Sequence, residues 1–183
     1  PLAVTAVLPV GATFSHTEAF PPLPAAAGAP PAAGSPVLRF CVELEGSGKW
    51  PDDEEAVAAL KTAFCLRMCA LLEEQASLHC EPRREGAAVQ VDGLVFVGAI
   101  AHAPHAALLR AAGRDDAADL LEVHTTAGAA HTAAMQALGA RHAAFAPAVR
   151  LVKRWLSSPL LSAVVSPQLI ELVAAAAVAS PAE

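Results

Sequence analysis

The feature that most constrains the fold is a change of pattern near residue 122. Before this position, strand-like apolar runs alternate with helical stretches, and after it only helical periodicity remains. The carboxylates stop at the same point, because no Asp or Glu occurs at residues 123–170. The sequence therefore predicts an α+β part at residues 1–122 and an all-α part at residues 123–183.

Several patterns in the first part predict strands. Residues 2–8 are almost all apolar, and residues 37–45 alternate between an apolar face and a mostly polar face. Residues 86–91 and 94–100 flank an Asp-Gly pair, which is the typical turn of a two-residue β-hairpin. A tract of Pro, Ala and Gly at residues 21–36 is unsuited to a helix or a strand, so we expect a flexible loop there.

A long helix is predicted at about residues 53–78. Asp52, followed three residues later by Glu55, matches a capping box at its start. Apolar residues that include Phe64 recur at helical spacing and should face the sheet. On this assignment Lys61 lies off the apolar stripe and points toward solvent.

The remaining helices are shorter. Pro167 in a first helical turn, preceded by Ser166, is a typical helix start. We expect Trp50, at the turn before the long helix, and Trp155 to be structural residues like Phe64. The other helices are predicted at residues 103–121 (broken near Gly113), 130–140, 144–157 and 167–179.

Composition and charge exclude several classes of protein. With 55% hydrophobic and 16% charged residues, the 183-residue chain is not intrinsically disordered. Eight cations against sixteen carboxylates make residues 1–122 unsuited to wrapping a phosphate backbone. We expect no membrane association, because prolines and Glu171 interrupt the apolar stretch at 156–179. The four cysteines have no metal-site spacing and are expected to be reduced.

Glu43 and Glu45 form the arrangement most typical of an enzyme. Two carboxylates at i and i+2 on a strand point the same way and can share divalent metal ions. Nucleotidyltransferases also need an upstream Gly-Ser turn and a third acid on a neighbouring strand, whereas the Gly-Ser-Gly turn here follows the pair. A solvated strand face explains the two residues equally well, so we expect no catalytic residue, no metal and no cofactor.

A basic ridge is predicted on the helix at residues 144–157. Arg150, Lys153 and Arg154 stand at i, i+3 and i+4, which places them on one side of a helix. Because no acid in the surrounding stretch neutralises them, they are the candidate RNA-binding residues. The alternative is a solvated face or an internal ion pair, such as one between Arg150 and Glu171.

Two long motifs together resemble one family. The run ELEGSGKWPDD at residues 43–53, followed by KTAF at 61–64, is similar to one signature of the nucleolar RNA-associated protein (Nrap) family. The run FAPAVRLVKRWL at 145–156 is similar to a second. Their order and spacing agree with that family over nearly the whole chain. We therefore read the sequence as a piece of a longer protein.

The resemblance implies both a fold and a role. It implies the later part of a nucleotidyltransferase-like domain with a mixed sheet, then the first helices of a poly(A)-polymerase/oligoadenylate-synthetase-like domain. It also implies a catalytically degenerate, RNA-binding scaffold of the nucleus and nucleolus. The implied partners are pre-ribosomal RNA and other proteins of the small-subunit processome. Two alternatives stay open: an active nucleotidyltransferase that uses Glu43 and Glu45 as metal ligands, and a purely structural protein-interaction module.

Overall fold

The secondary structure follows the predicted order. A computed structural model describes residues 3–25, 37–46, 48, 50–83, 86–157 and 165–179. Most of the predicted loop at 21–36 therefore lies outside the described residues. The elements are β1 (Val4–Val10), β2 (Leu38–Leu44), α1 (Glu54–Ala76), β3 (Cys80–Arg83), β4 (Gly86–Val91), β5 (Leu94–Ala101), α2 (Ala103–Ala111), α3 (Asp115–His124), α4 (Thr126–Arg141), α5 (Phe145–Ser157) and α6 (Pro167–Ala179).

The chain forms two compact units. Unit 1 comprises Pro1–Val10 and Pro22–Ala129, and unit 2 comprises Gly11–Pro21 and Ala130–Glu183. The α+β class is confirmed, because the strands are in unit 1 and the helices α5 and α6 are in unit 2. No pattern in the sequence predicts that Gly11–Pro21 belongs to unit 2. We call this stretch the 11–21 segment.

The sheet of unit 1 is mixed, with strand order β1-β2-β5-β4-β3. Strands β2 and β5 are parallel, and every other neighbouring pair is antiparallel. The hairpin prediction is confirmed, because Asp92 and Gly93 have φ values of 50° and 77°, as a type I′ turn requires. Gly98 lies opposite Phe40, whose ring occupies the space that a Cβ at Gly98 would need.

The start and the buried side of α1 differ from the prediction. Asp53, not Asp52, is the N-cap, and its carboxylate accepts a hydrogen bond from the Ala56 amide at 2.9 Å. The buried residues of α1 are Val57, Cys65 and Cys69, at multiples of four along the helix. Lys61 belongs to the same row, so it points toward the protein and not toward solvent.

The core of unit 1 lies between α1 and the sheet. Its buried members include Cys65, Val89 and Ile100, and Phe64 packs against them half-buried. Cys69 and Cys80 form a disulfide, so the expectation of reduced thiols is wrong for this pair. No helix in the described part of the chain is both long and apolar enough to span a bilayer.

Candidate nucleic-acid interface

Helix α5, which carries the basic ridge, has one strongly buried side. Phe145, Val149 and Lys153 are all buried and are spaced by four residues, so they form one row along the helix. Phe145 and Val149 pack with Met135 and Ile170 in the core of unit 2. The row also turns Lys153 inward, which corrects the expectation that Lys153 stands on an exposed ridge.

Buried Lys153 is paired with a buried carboxylate. Its Nζ donates to Glu171 Oε1 at 2.6 Å, and the two side chains are 6% and 3% exposed. Thr17 Oγ1 donates to the same oxygen at 2.5 Å, and His131 Nε2 lies 2.5 Å from Glu171 Oε2. The alternative of an internal ion pair between Arg150 and Glu171 is therefore correct for the carboxylate but not for the cation, because Lys153, one turn from Arg150, is the residue that pairs with Glu171.

Electrostatics keeps Glu171 ionised in this setting. Burial raises the pKa of the Glu171 carboxyl, while hydrogen bonds from Lys153, Thr17 and His131 and the charge of Lys153 lower it. The lowering effects prevail, and the pKa lies below its ordinary value. Rotation of α5 about its axis would separate Lys153 from Glu171 and leave buried charges unpaired. The ion pair therefore holds α5 in this orientation.

Arg154 binds the 11–21 segment. Its Nε donates to the Ala19 carbonyl at 3.0 Å, and its guanidinium carbon lies 5.8 Å from the centroid of the Phe20 ring. The side chain remains exposed despite these contacts. Arg154 therefore serves a structural purpose and still adds positive charge to the surface of unit 2.

The side of α5 opposite the buried row is exposed, and we call it the outer face of α5 (Arg150, Leu151, Arg154 and Trp155). Trp155 is 69% exposed and Leu151 is 68% exposed. The expectation that Trp155 is a buried structural residue is therefore wrong, because it lies two positions from Lys153 and thus on the other side of the helix. Trp155 and Leu151 stand one turn apart, beside Arg150 and Arg154 at the same spacing.

The surface charge of unit 2 is positive in the described residues. Arg141, Arg150 and Arg154 are exposed, and Glu18 is the half-buried carboxylate that opposes them. Glu171 does not contribute, because it is buried and paired with Lys153. The acid-free stretch noted in the sequence thus becomes a surface on which arginines outnumber carboxylates.

The strand-borne acidic pair lies in unit 1. Glu43 is the second-to-last residue of β2, and Glu45 follows the strand. The residues that flank Glu43 on the neighbouring strands are Ala6 and Ala101, so neither supplies a third carboxylate there. Within the part of the chain that the structure describes, no group of three or more His, Cys, Asp or Glu side chains is arranged to hold a metal ion.

The other two residues predicted to be structural are close together in unit 1. The Trp50 ring stacks on His102, with centroids 3.9 Å apart and planes 15° apart. Its centroid lies 5.9 Å from that of Phe64. Both aromatic side chains are half-buried and pack against the core of unit 1.

Sequence reasoning missed all three residues that bind Glu171, namely Lys153, Thr17 and His131. Thr17 is 154 residues from Glu171 in the chain, and His131 is 40 residues away. Neither forms a motif with it. One signal was available for Lys153 itself: it follows Phe145 and Val149 at intervals of four, and this row of apolar residues already marks the buried side of α5.

Comparison with known proteins identifies two matching domain families. The model of the Nrap protein nucleotidyltransferase domain 4 matches residues 1–146, and that of the Nrap protein PAP/OAS1-like domain 5 matches residues 142–183. Nucleolar protein 6 of Homo sapiens is 33% identical over 96% of this chain. The proteins of the same name from Drosophila virilis and Xenopus laevis are 33% and 30% identical over 88% and 96% of it. The chain spans 18% of the human and Xenopus laevis relatives and 14% of the Drosophila virilis one.

Proposed function

Since the chain belongs to the Nrap family, we propose that it is a non-catalytic scaffold segment that contacts RNA during ribosome biogenesis. The family resemblance read from the two motifs is confirmed. The relatives named above are called nucleolar proteins, and the protein is nuclear and nucleolar, as the resemblance implies. Its proposed partners are pre-ribosomal RNA and other proteins of the small-subunit processome.

The observation that carries the RNA contact is the outer face of α5. Exposed arginines bind phosphates irrespective of base sequence, and an exposed aromatic ring gives unpaired bases a surface to stack on. Here Arg150 and Arg154 stand beside Trp155 on one helix face. The carboxylate that would oppose them, Glu171, is already neutralised inside the unit.

The experiment measures RNA binding by the full-length protein at several salt concentrations. Arg150→Gln should weaken binding to all RNA sequences alike and lower the slope of log affinity against log salt by about one. Trp155→Ala should weaken single-stranded RNA more than duplex RNA, because only unpaired bases stack on the ring. Lys153 is left unchanged in these variants, because replacing it would unpair Glu171.

The matched control is Arg67→Gln, which removes an exposed arginine from α1 in unit 1. It should leave both the affinity and the salt slope unchanged. If Arg150→Gln and Trp155→Ala also change neither quantity, the outer face of α5 does not contact RNA. The purely structural interaction module then becomes the better account.

The absence of catalysis is the second part of the proposal. Its support is the pair of alanines, Ala6 and Ala101, that flank Glu43 where a third metal-binding acid would be needed. We expect the full-length protein not to extend an RNA primer with any nucleoside triphosphate and Mg²⁺ or Mn²⁺. Extension that disappears in the Glu43→Ala, Glu45→Ala double variant would establish the active nucleotidyltransferase instead.

A further inference from the structure

Unit 1 contains a cavity of about 650 Å³ that the proposed function does not use. It is lined by residues of α1, α2, α3 and the sheet. Much of its wall is apolar, and its volume is typical of pockets that hold small molecules. The apolar lining includes Ala58, Val97, Ile100, Leu109 and Leu121.

Two polar side chains in the cavity wall have no hydrogen-bond partner. Lys61 Nζ and both ring nitrogens of His105 are shielded from solvent and make no hydrogen bond within the described residues. His105 is only 7% exposed. Desolvation by burial lowers the pKa of Lys61 to about 8. Buried polar groups are normally satisfied, so two side chains in one cavity wall with unpartnered polar atoms are unusual.

Glu54 lies close enough to His105 for an ion pair but does not supply the missing hydrogen bond. Glu54 Oε1 lies 3.8 Å from His105 Nε2, which is beyond hydrogen-bonding distance, and it accepts a hydrogen bond from Arg114 at 3.0 Å. Glu55 also lines the cavity, together with the cations Arg39 and Arg83. Four cations and two carboxylates therefore line it, and one of the carboxylates is already bound.

We propose that this cavity binds a small organic anion, with its phosphate or carboxylate group at Lys61 and His105 and its apolar body against the alanines and leucines of the wall. The ammonium of Lys61 offers three donors, and His105 offers one more. An anionic oxygen at this point would make charge-assisted hydrogen bonds to groups that otherwise have none. The proposal concerns unit 1 and is independent of the RNA contact proposed for unit 2.

The test is isothermal titration calorimetry of the full-length protein with four probes. Phenyl phosphate and benzoate each join an anionic group to an apolar ring, inorganic phosphate has the charge alone, and phenol has the ring alone. We expect at least one of the two aromatic anions to bind more tightly than inorganic phosphate or phenol. Comparison of the two aromatic anions identifies the head group.

The decisive variant is Lys61→Met, which keeps most of the side-chain volume and removes the charge. It should weaken binding of the preferred aromatic anion by at least about tenfold, which corresponds to about 1.4 kcal/mol. The matched control Arg67→Met removes an exposed cation from the same helix and should leave binding unchanged. His105→Leu provides a second site variant and should also weaken binding.

Two results would overturn the proposal. One is no detectable binding of either aromatic anion at millimolar concentration by the wild-type protein. The other is binding that Lys61→Met and His105→Leu leave unchanged. Circular dichroism of each variant verifies that it is folded, so a loss of binding is not mistaken for a loss of structure.

Discussion

Among the described residues, each unit shields the ammonium group of one lysine from solvent, and the two ammonium groups differ in their partners. Lys153 in unit 2 is 6% exposed and bonds to Glu171, which also accepts from Thr17 and lies against His131. Lys61 in unit 1 has a solvent-shielded Nζ with no hydrogen-bond partner in the described residues. Both residues lie in buried rows of their helices, so helical position alone does not separate them.

The difference indicates two separate roles for a buried charge, one in packing and one in ligand binding. A fully bonded pair fixes the packing of its helices, because each group requires the other in one place. An unbonded ammonium at a cavity does not fix the packing of helices, and its burial costs desolvation free energy. Its role is therefore to bind a group of a ligand. The comparison therefore assigns Lys153 to structure and Lys61 to binding.

The largest expected effect comes from breaking the pair in unit 2. Glu171→Gln should destabilise unit 2 by about 3–5 kcal/mol, because it leaves the Lys153 charge buried without a counter-ion. Chemical denaturation monitored by circular dichroism measures the change. Glu18→Gln, at a half-buried carboxylate of the same unit, should change the stability by less than about 0.5 kcal/mol.

A double variant sharpens this prediction. Lys153→Met combined with Glu171→Leu should recover most of the lost stability, because an apolar pair has no desolvation cost. If Glu171→Gln proves as mild as Glu18→Gln, the ion pair does not hold α5 and α6 together. The contrast between the two lysines would then be lost.

Removing the charge of Lys61 in unit 1 should change the stability in the opposite direction. Lys61→Met should stabilise the ligand-free protein by about 1–3 kcal/mol, since it removes a desolvated ammonium and leaves its volume filled. Arg67→Met, on the exposed side of α1, should have an effect near zero. A loss of stability in Lys61→Met comparable to that of Glu171→Gln would mean that Lys61 has a structural partner.

The two units should also respond to pH in different ranges, with stability rising with pH in each. The pKa of Lys61 falls from 10.5 to about 8 on folding, so the folded protein loses this proton first. The contribution of Lys61 to stability should therefore rise between about pH 8 and 10.5, and Lys61→Met should abolish this contribution. The pKa of the neighbouring Cys65 thiol, which burial raises, acts in the opposite direction. The lowered pKa of Glu171 works at the other end: its contribution is present above the ordinary value of 4.5 and is lost as the pH falls through the folded-state pKa.

Thermal denaturation of the wild type, Lys61→Met and Glu171→Gln across the two pH ranges checks the direction in which stability changes with pH in each range. A fall in wild-type stability above pH 8 that Lys61→Met removes would reverse the assignment for unit 1. A wild-type acid transition that Glu171→Gln leaves in place would reverse it for unit 2.

The smallest expected effect on stability is that of Trp155→Ala. Because Trp155 is 69% exposed, its removal should cost less than about 0.5 kcal/mol. Phe145, which is 1% exposed on the same helix, is the matched control, and Phe145→Ala should cost about 3–5 kcal/mol. Equal losses of stability for Trp155→Ala and Phe145→Ala in thermal denaturation would mean that the outer face of α5 is covered.

The sequence by itself determined most of the element boundaries. The hairpin at Asp92-Gly93 and the start of α6 after Ser166 follow from local chemistry, and the Ser166 hydroxyl does bond the Leu169 amide at 3.2 Å. Strand β3 was missed because it is short and contains Pro82, as an edge strand tolerates. For the candidate interface, the sequence located the helix and its acid-free surroundings.

Only the tertiary structure decided which charged side chains stay on the surface. The even spacing of Val57, Lys61, Cys65 and Cys69 shows that they share a row, but not that this row is the buried one. Likewise, Lys153 could enter the core because Glu171 pairs with it there, and Glu171 is in turn bound by Thr17, which is distant in sequence. The physical reason is the desolvation cost of a buried charge, which depends on partners that local patterns do not contain.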